Sequence, residues 1–178
     1  MRSVPTNDFS EWSEHFDADE ITAHDILAAS WITMIRLETL APGLVATLRN
    51  SSSAIQRAAS LAACECAVRQ LQIDHPLVLA AIDELRATGM LSTAERAKVD
   101  KLAAQLDDTY LAMQEAEEQS LLANGQHTRV FRQARAVASV AFAGDQDSLY
   151  GALEGIYEAI VAARDKDEII SIVRATLE

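Results

Sequence analysis

Eleven consecutive residues, Ala58-Ala59-Ser60-Leu61-Ala62-Ala63-Cys64-Glu65-Cys66-Ala67-Val68, carry a single charge. A helix lying on a protein surface shows a polar face on every turn. This run shows almost none, so it reads as a helix wrapped by other helices. An enclosed helix needs a helical shell around it. The run therefore marks the centre of an all-helical domain and makes Glu65 the residue most in need of an explanation.

The rest of the chain agrees with that reading. Its 178 residues suffice for one domain with a substantial core. Hydrophobic residues make up 49%, far more than a disordered chain carries, and only six Gly and three Pro interrupt it. No segment alternates apolar and polar residues as a half-buried strand does. We expect an all-α fold, a single compact bundle of seven or eight mostly antiparallel helices around a central apolar helix at about residues 53–72. Residues 1–178 are expected to form one helical domain, with residues 1–20 a polar, acidic N-terminal segment carrying a short helix on Phe9, Trp12 and Phe16.

Capping signals divide the remainder. Thr22 with Asp25 opens a helix that Pro42 and Gly43 stop, and Leu44 to Arg49 adds a turn or two. Ser53 with Gln56 reads as a capping box for the central helix. Asp74-His75-Pro76 reads as cap, first turn and helical proline, and Gly89 ends that helix. Ser92-Thr93-Ala94-Glu95 is the clearest capping box and opens a long helix to about Ala123. Thr128 caps the next, broken at Gly144-Asp145. Asp145 or Asp147 caps a helix through Leu149, Leu153, Ile156, Tyr157 and Ile160. Glu168 to Leu177 forms the last. Gly151 and Gly155, four apart in a helix, are read as allowing close helix packing.

Net charge is −12, and the acids are concentrated. Residues 1–25 hold seven acids against one base, Arg2, and between Lys101 and Arg129 there are five acids and no base. Such a surface repels a polyanion, which argues against nucleic acid, and attracts a basic protein. The five acids Asp107, Asp108, Glu115, Glu117 and Glu118 are accordingly the candidate partner-binding residues. Self-association is the other partner expectation. No run is long and apolar enough for a transmembrane helix, and the N-terminus lacks the apolar stretch of a signal peptide, so a cytoplasmic location is expected.

The motifs of common enzyme chemistries are missing. None of His15, His24, His75 or His127 follows an acid at the spacing of a di-metal Glu-x-x-His site, and His-Glu-x-x-His is absent. No Gly-rich phosphate loop and no Gly-x-Ser-x-Gly elbow occurs. Cys64 and Cys66 point away from each other on a helix and read as small packing residues. No catalytic, cofactor-binding or metal-binding residue is nominated, and no cofactor is expected. Glu65 is expected to form a buried or boundary ion pair with Arg69, one turn later in the favoured order. If buried, that pair would cost about 3–5 kcal/mol to break from one side. Arg129, Arg132 and Arg135 are expected to pair with Glu115, Glu117 and Glu118.

Two stretches carry a resemblance. Arg57 to Gly89, with Ala-Cys-Glu-Cys-Ala, Asp74-His75-Pro76 and Ala80-Ala81-Ile82-Asp83-Glu84-Leu85-Arg86, resembles small helical immunity proteins of bacterial toxin systems. Phe131 to Ala162, with Ala-Arg-Ala-Val-Ala-Ser-Val-Ala-Phe-Ala and Gly-Ile-Tyr-Glu-Ala, is similar to them in texture. The resemblance covers about a third of the chain and implies a helical protein that neutralises a toxin by binding it, with no catalytic residues. The leading expectation is therefore a non-enzymatic protein-binding module. The alternatives are a small-molecule-binding protein or enzyme with an inter-helix pocket near Glu65, Trp31 and Tyr157, and a structural homo-oligomer.

Overall fold

The computed structural model describes residues 36–119 and 126–178, and within them every regular element is a helix. A helical stretch at 36–40 is followed by α1 (Leu44–Asn50), α2 (Ser53–Leu71), α3 (Pro76–Thr88), α4 (Thr93–Gln119), α5 (Gln126–Ala143), α6 (Ser148–Ala162) and α7 (Lys166–Leu177). The helices expected around Ser10 and after Thr22, with Trp31, lie outside the described residues.

Several boundaries follow the capping logic, with corrections. Ser52, not Ser53, caps α2 by accepting from Ile55 N, because Gln56 turns inward and donates to Leu48 O at 2.9 Å. His75 rather than Asp74 caps α3, its ring nitrogen accepting from Leu77 N. Ser92 Oγ accepts from Glu95 N at 3.2 Å, but the return half of that box is made by Glu84, whose carboxylate accepts from Ser92 N. Thr128 lies inside α5, which begins at Gln126. Asp147 caps α6. Asp165 caps α7, which therefore starts at Lys166 and not at Glu168.

The bundle has two cores, and α2 belongs to both. Ala63, Cys66 and Ala67 pack with Leu37, Leu48, Leu153, Ile156 and Ile169, joining α2 to α1, α6 and α7. Cys64 and Val68 pack with Val78, Ile82, Val99, Val137 and Val140, joining it to α3, α4 and α5. A helix that serves two cores needs apolar side chains on two sides, which is why its sequence shows so little polar face. The same arrangement sets the two thiols apart, one in each core, both buried and free. Burial pushes the Cys64 thiol up to about 12, helped by the neighbouring Glu65 charge.

Enclosure itself is greatest elsewhere. The first three residues of α2 are exposed, whereas from Gly151 to Ala162 of α6 only Tyr157 and Val161 are not buried. Helices α5 and α6 pack along one another and are joined by residues 144–147, so they run antiparallel. Their approach depends on two glycines. A Cβ on Gly155 would stand 2.5 Å from Ser60 Oγ and 3.2 Å from Ser139 O, and one on Gly151 would stand 2.6 Å from Phe142 O. The close packing expected of this pair is thus made against α2 and α5.

Arg57 ties the two loops at one end of the bundle. Its guanidinium donates to Gly89 O at 3.1 Å, Asp145 O at 2.9 Å and Gln146 O at 2.9 Å. Beside it, Leu91 N donates to Gly144 O, and Arg96 pairs with Asp145 at 2.7 Å.

Candidate functional sites on helix four and beside Glu65

Helix geometry sorts the five nominated acids of α4. Steps of 100° place Asp108, Leu111 and Glu115 on one stripe, with Glu117 on the opposite side from Asp108. Asp108 and Glu115 are exposed, and Leu111 between them is 53% exposed. Asp107 and Glu117 instead turn into the bundle. Asp107 pairs with Arg135 of α5, whose guanidinium also reaches Glu158 of α6 at 3.3 Å. Glu117 meets His127 Nδ1 at 2.6 Å, beside the ring cluster of Tyr110, His127 and Phe131. Glu118 lies on the same helix, and its side chain is outside the described residues. The expected pairing of Arg135 with Glu115, Glu117 or Glu118 is therefore corrected. Its position on α5 faces Asp107 and α6 instead.

Two carboxylates that the sequence reading passed over, Glu154 and Glu158, are buried on α6. They stand four residues apart on one face of the most enclosed helix. Burial raises the Glu158 carboxyl above its ordinary value, while Arg135 and Arg36 pull it down and Glu154 pushes it up. Arg36 also stacks on the Tyr157 ring, 3.9 Å from its centroid. A signal for these acids was present. Ser148–Ala162 is more apolar than the helix that carries Glu65, so carboxylates within it stand out by the same physics.

Glu65 and Arg69 do not pair. Glu65 Oε1 accepts from Arg86 Nε of α3 at 2.7 Å, and Arg69 pairs with Glu168 of α7 at 2.7 Å. Glu168 lies in the first turn of α7 and is held there by Gln70 as well, at 2.8 Å. Each α2 side chain thus meets the helix on its own side, and neither pair is buried. Glu65 remains 32% exposed and Arg69 64%.

Glu65 lines a groove of about 590 Å³ between the second half of α2 and α3, together with Val68, Asp74, Leu79, Asp83 and Arg86. Tyr157 does not border it, and Trp31 lies outside the described residues. Arg69 lines it too, so three carboxylates share the groove with two guanidiniums, and Arg86 pairs with both Glu65 and Asp83. Among the described residues no group of three or more His, Cys, Asp or Glu side chains converges as a metal set, and no helix is long and apolar enough to cross a membrane. Comparison of the chain with protein-family models, curated proteins and solved structures finds no match.

Proposed function

We propose that this chain is a non-enzymatic protein-binding module that receives a basic partner on the outward stripe of α4, in the manner of an immunity protein neutralising a basic toxin. The supporting observation is Leu111, 53% exposed between the exposed carboxylates of Asp108 and Glu115. An apolar side chain rimmed by like charges anchors a partner by burial, while the surrounding field, part of a net charge of −12, steers a cationic surface toward it. Asp107 and Glu117 serve this surface indirectly, by fixing α4 to α5. The encounter takes place in the cytoplasm, where the two thiols stay reduced.

The test is a binding measurement between the full chain and the product of the adjacent gene, at low and high salt. We expect a complex that weakens as salt rises and that loses at least tenfold in affinity in Asp108→Lys/Glu115→Lys. A complex indifferent to that double reversal would overturn the α4 assignment, and absence of any salt-sensitive complex would overturn the module itself. A small-molecule site beside Glu65 is the second reading, favoured by the 590 Å³ groove alone.

A further inference from the structure

Glu117, His127 and Thr128 form a hydrogen-bonded chain where α4 ends and α5 begins. Glu117 Oε2 lies 2.6 Å from His127 Nδ1, and Thr128 Oγ1 lies 3.3 Å from His127 Nε2. The Glu117 side chain is 14% exposed, and its other oxygen, Oε1, is buried without a hydrogen-bond partner among the described residues. The Tyr110 ring stands 6.1 Å from the His127 ring and 5.2 Å from that of Phe131, so the imidazole is packed as well as bonded. Thr128 itself is exposed.

The proton positions follow from the acceptors. An ionised carboxylate can only accept, so the hydrogen of the Glu117 contact sits on Nδ1. In the neutral ring Nε2 is then the acceptor, and Thr128 donates to it. A hydroxyl donating to an imidazole that a carboxylate orients is the arrangement that turns a weak alcohol into a nucleophile. The helix favours the same chemistry. Thr128 is the third residue of α5, in the turn whose N–H groups have no intrahelical partner and where the helix dipole is positive. Negative charge developing on Oγ1 or on an attacked carbonyl oxygen is stabilised there.

We propose that Thr128 is an acyl-acceptor site, which takes the acyl group of a small activated ester. Oγ1 bonds to the carbonyl carbon as its proton passes to His127 Nε2, and the ester C–O bond breaks. The proton leaves on the departing alcohol. Ring and carboxylate end as they began, and the chain carries one O-acylthreonine. Glu117 touches neither reacting group and is a positioning residue. The site is a stoichiometric acceptor and does not rest on partner binding at the α4 stripe.

The probe is p-nitrophenyl acetate, added to the full chain at neutral pH. The expected result is a burst of one nitrophenolate per chain and one acetyl group, which tandem mass spectrometry maps to Thr128. Thr128→Val should remove that burst and leave the unfolding curve unchanged. His127→Gln should slow acetylation about a hundredfold. Glu117 is tested by the nitrogen chemical shifts of the His127 ring at mildly alkaline pH. The wild-type ring should hold its proton on Nδ1. Glu117→Ala should return the proton to Nε2, the form a free imidazole side chain favours, and slow acetylation about tenfold. Should the His127 or Glu117 variant fail to fold, Thr128→Val and the wild-type ring still decide. No acetylation, an acetyl group found only on lysines or histidines, a burst that survives Thr128→Val, or a wild-type His127 ring protonated on Nε2 would each overturn the proposal.

Discussion

Replacing Gly155 by Ala tests whether the three-helix junction of α2, α5 and α6 is as close as described. In an ordinary helix the exchange stabilises by about 1 kcal/mol, because Ala restricts the unfolded chain and favours helix. Here the new Cβ would stand 2.5 Å from Ser60 Oγ, 3.2 Å from Ser139 O and 3.3 Å from Ala143 N. The Ser60 hydroxyl, buried and donating to Gly151 O, can turn away only by giving up that bond. The other two atoms belong to the α5 backbone and move only if the helix moves. Overpacking costs about 1–3 kcal/mol, and a backbone obstacle puts this site at the upper end. The net effect is a destabilisation of about 2 kcal/mol, or roughly 4–8 °C in melting temperature for a chain of this size. Urea unfolding followed by circular dichroism should show a lower midpoint with an unchanged slope. Removing the hydroxyl with Ser60→Ala in the Gly155→Ala background should recover about 1 kcal/mol relative to the sum of the single changes. A Gly155→Ala protein as stable as the wild type, or strict additivity with Ser60→Ala, would refute the junction.

Two further perturbations probe other levels of the structure. Arg57→Ala leaves the carbonyls of Gly89, Asp145 and Gln146 without their donor, and should lower the unfolding free energy by about 2–4 kcal/mol. Arg57→Lys, with a point charge instead of a fork, should recover less than half of that in the same urea assay. Glu158 holds its proton to a higher pH in the folded chain than in the unfolded one, because burial raises it from its ordinary value of 4.5. Stability should therefore fall as pH rises through the window just above 4.5. Glu158→Gln should remove that part of the slope, which urea titrations at a series of pH values would reveal. An unchanged slope would count against the buried ionisation.

The helical architecture was legible because it depends on residues close in sequence. Apolar spacing and cap residues are local signals, and the stops at Gly43 and Gly89 fall where left-handed backbone favours glycine, with φ of +80° and +74°. The cap correction at the start of α2 has a clear cause. Ser53 and Gln56 satisfy a capping box by spacing, but Gln56 is worth more inside, where it donates to Leu48 O and accepts from Ser148. A polar side chain that can bridge two other elements is withdrawn from its own helix end. Nothing in the local spacing announces that competition.

Charge pairing was the least legible layer for the same reason. An i, i+4 pair such as Glu65 and Arg69 is worth only about 0.2–0.5 kcal/mol on a helix surface. Any neighbouring helix that brings an opposite charge within reach competes on equal terms, and α2 has such a neighbour on each side. Arg86 takes Glu65 from α3, and Glu168, already fixed at the start of α7, takes Arg69. The acids of α4 obey the same rule. Asp107 and Glu117 are drawn inward because Arg135 and His127 lie across the helix pair. Asp108 and Glu115, which form no ion pair among the described residues, stay exposed beside Leu111. An acidic run therefore predicts a binding surface only after the bases of the packed neighbours have been subtracted from it. In this chain that subtraction removes Asp107 and Glu117, and it narrows the proposed surface toward the stripe of Asp108, Leu111 and Glu115.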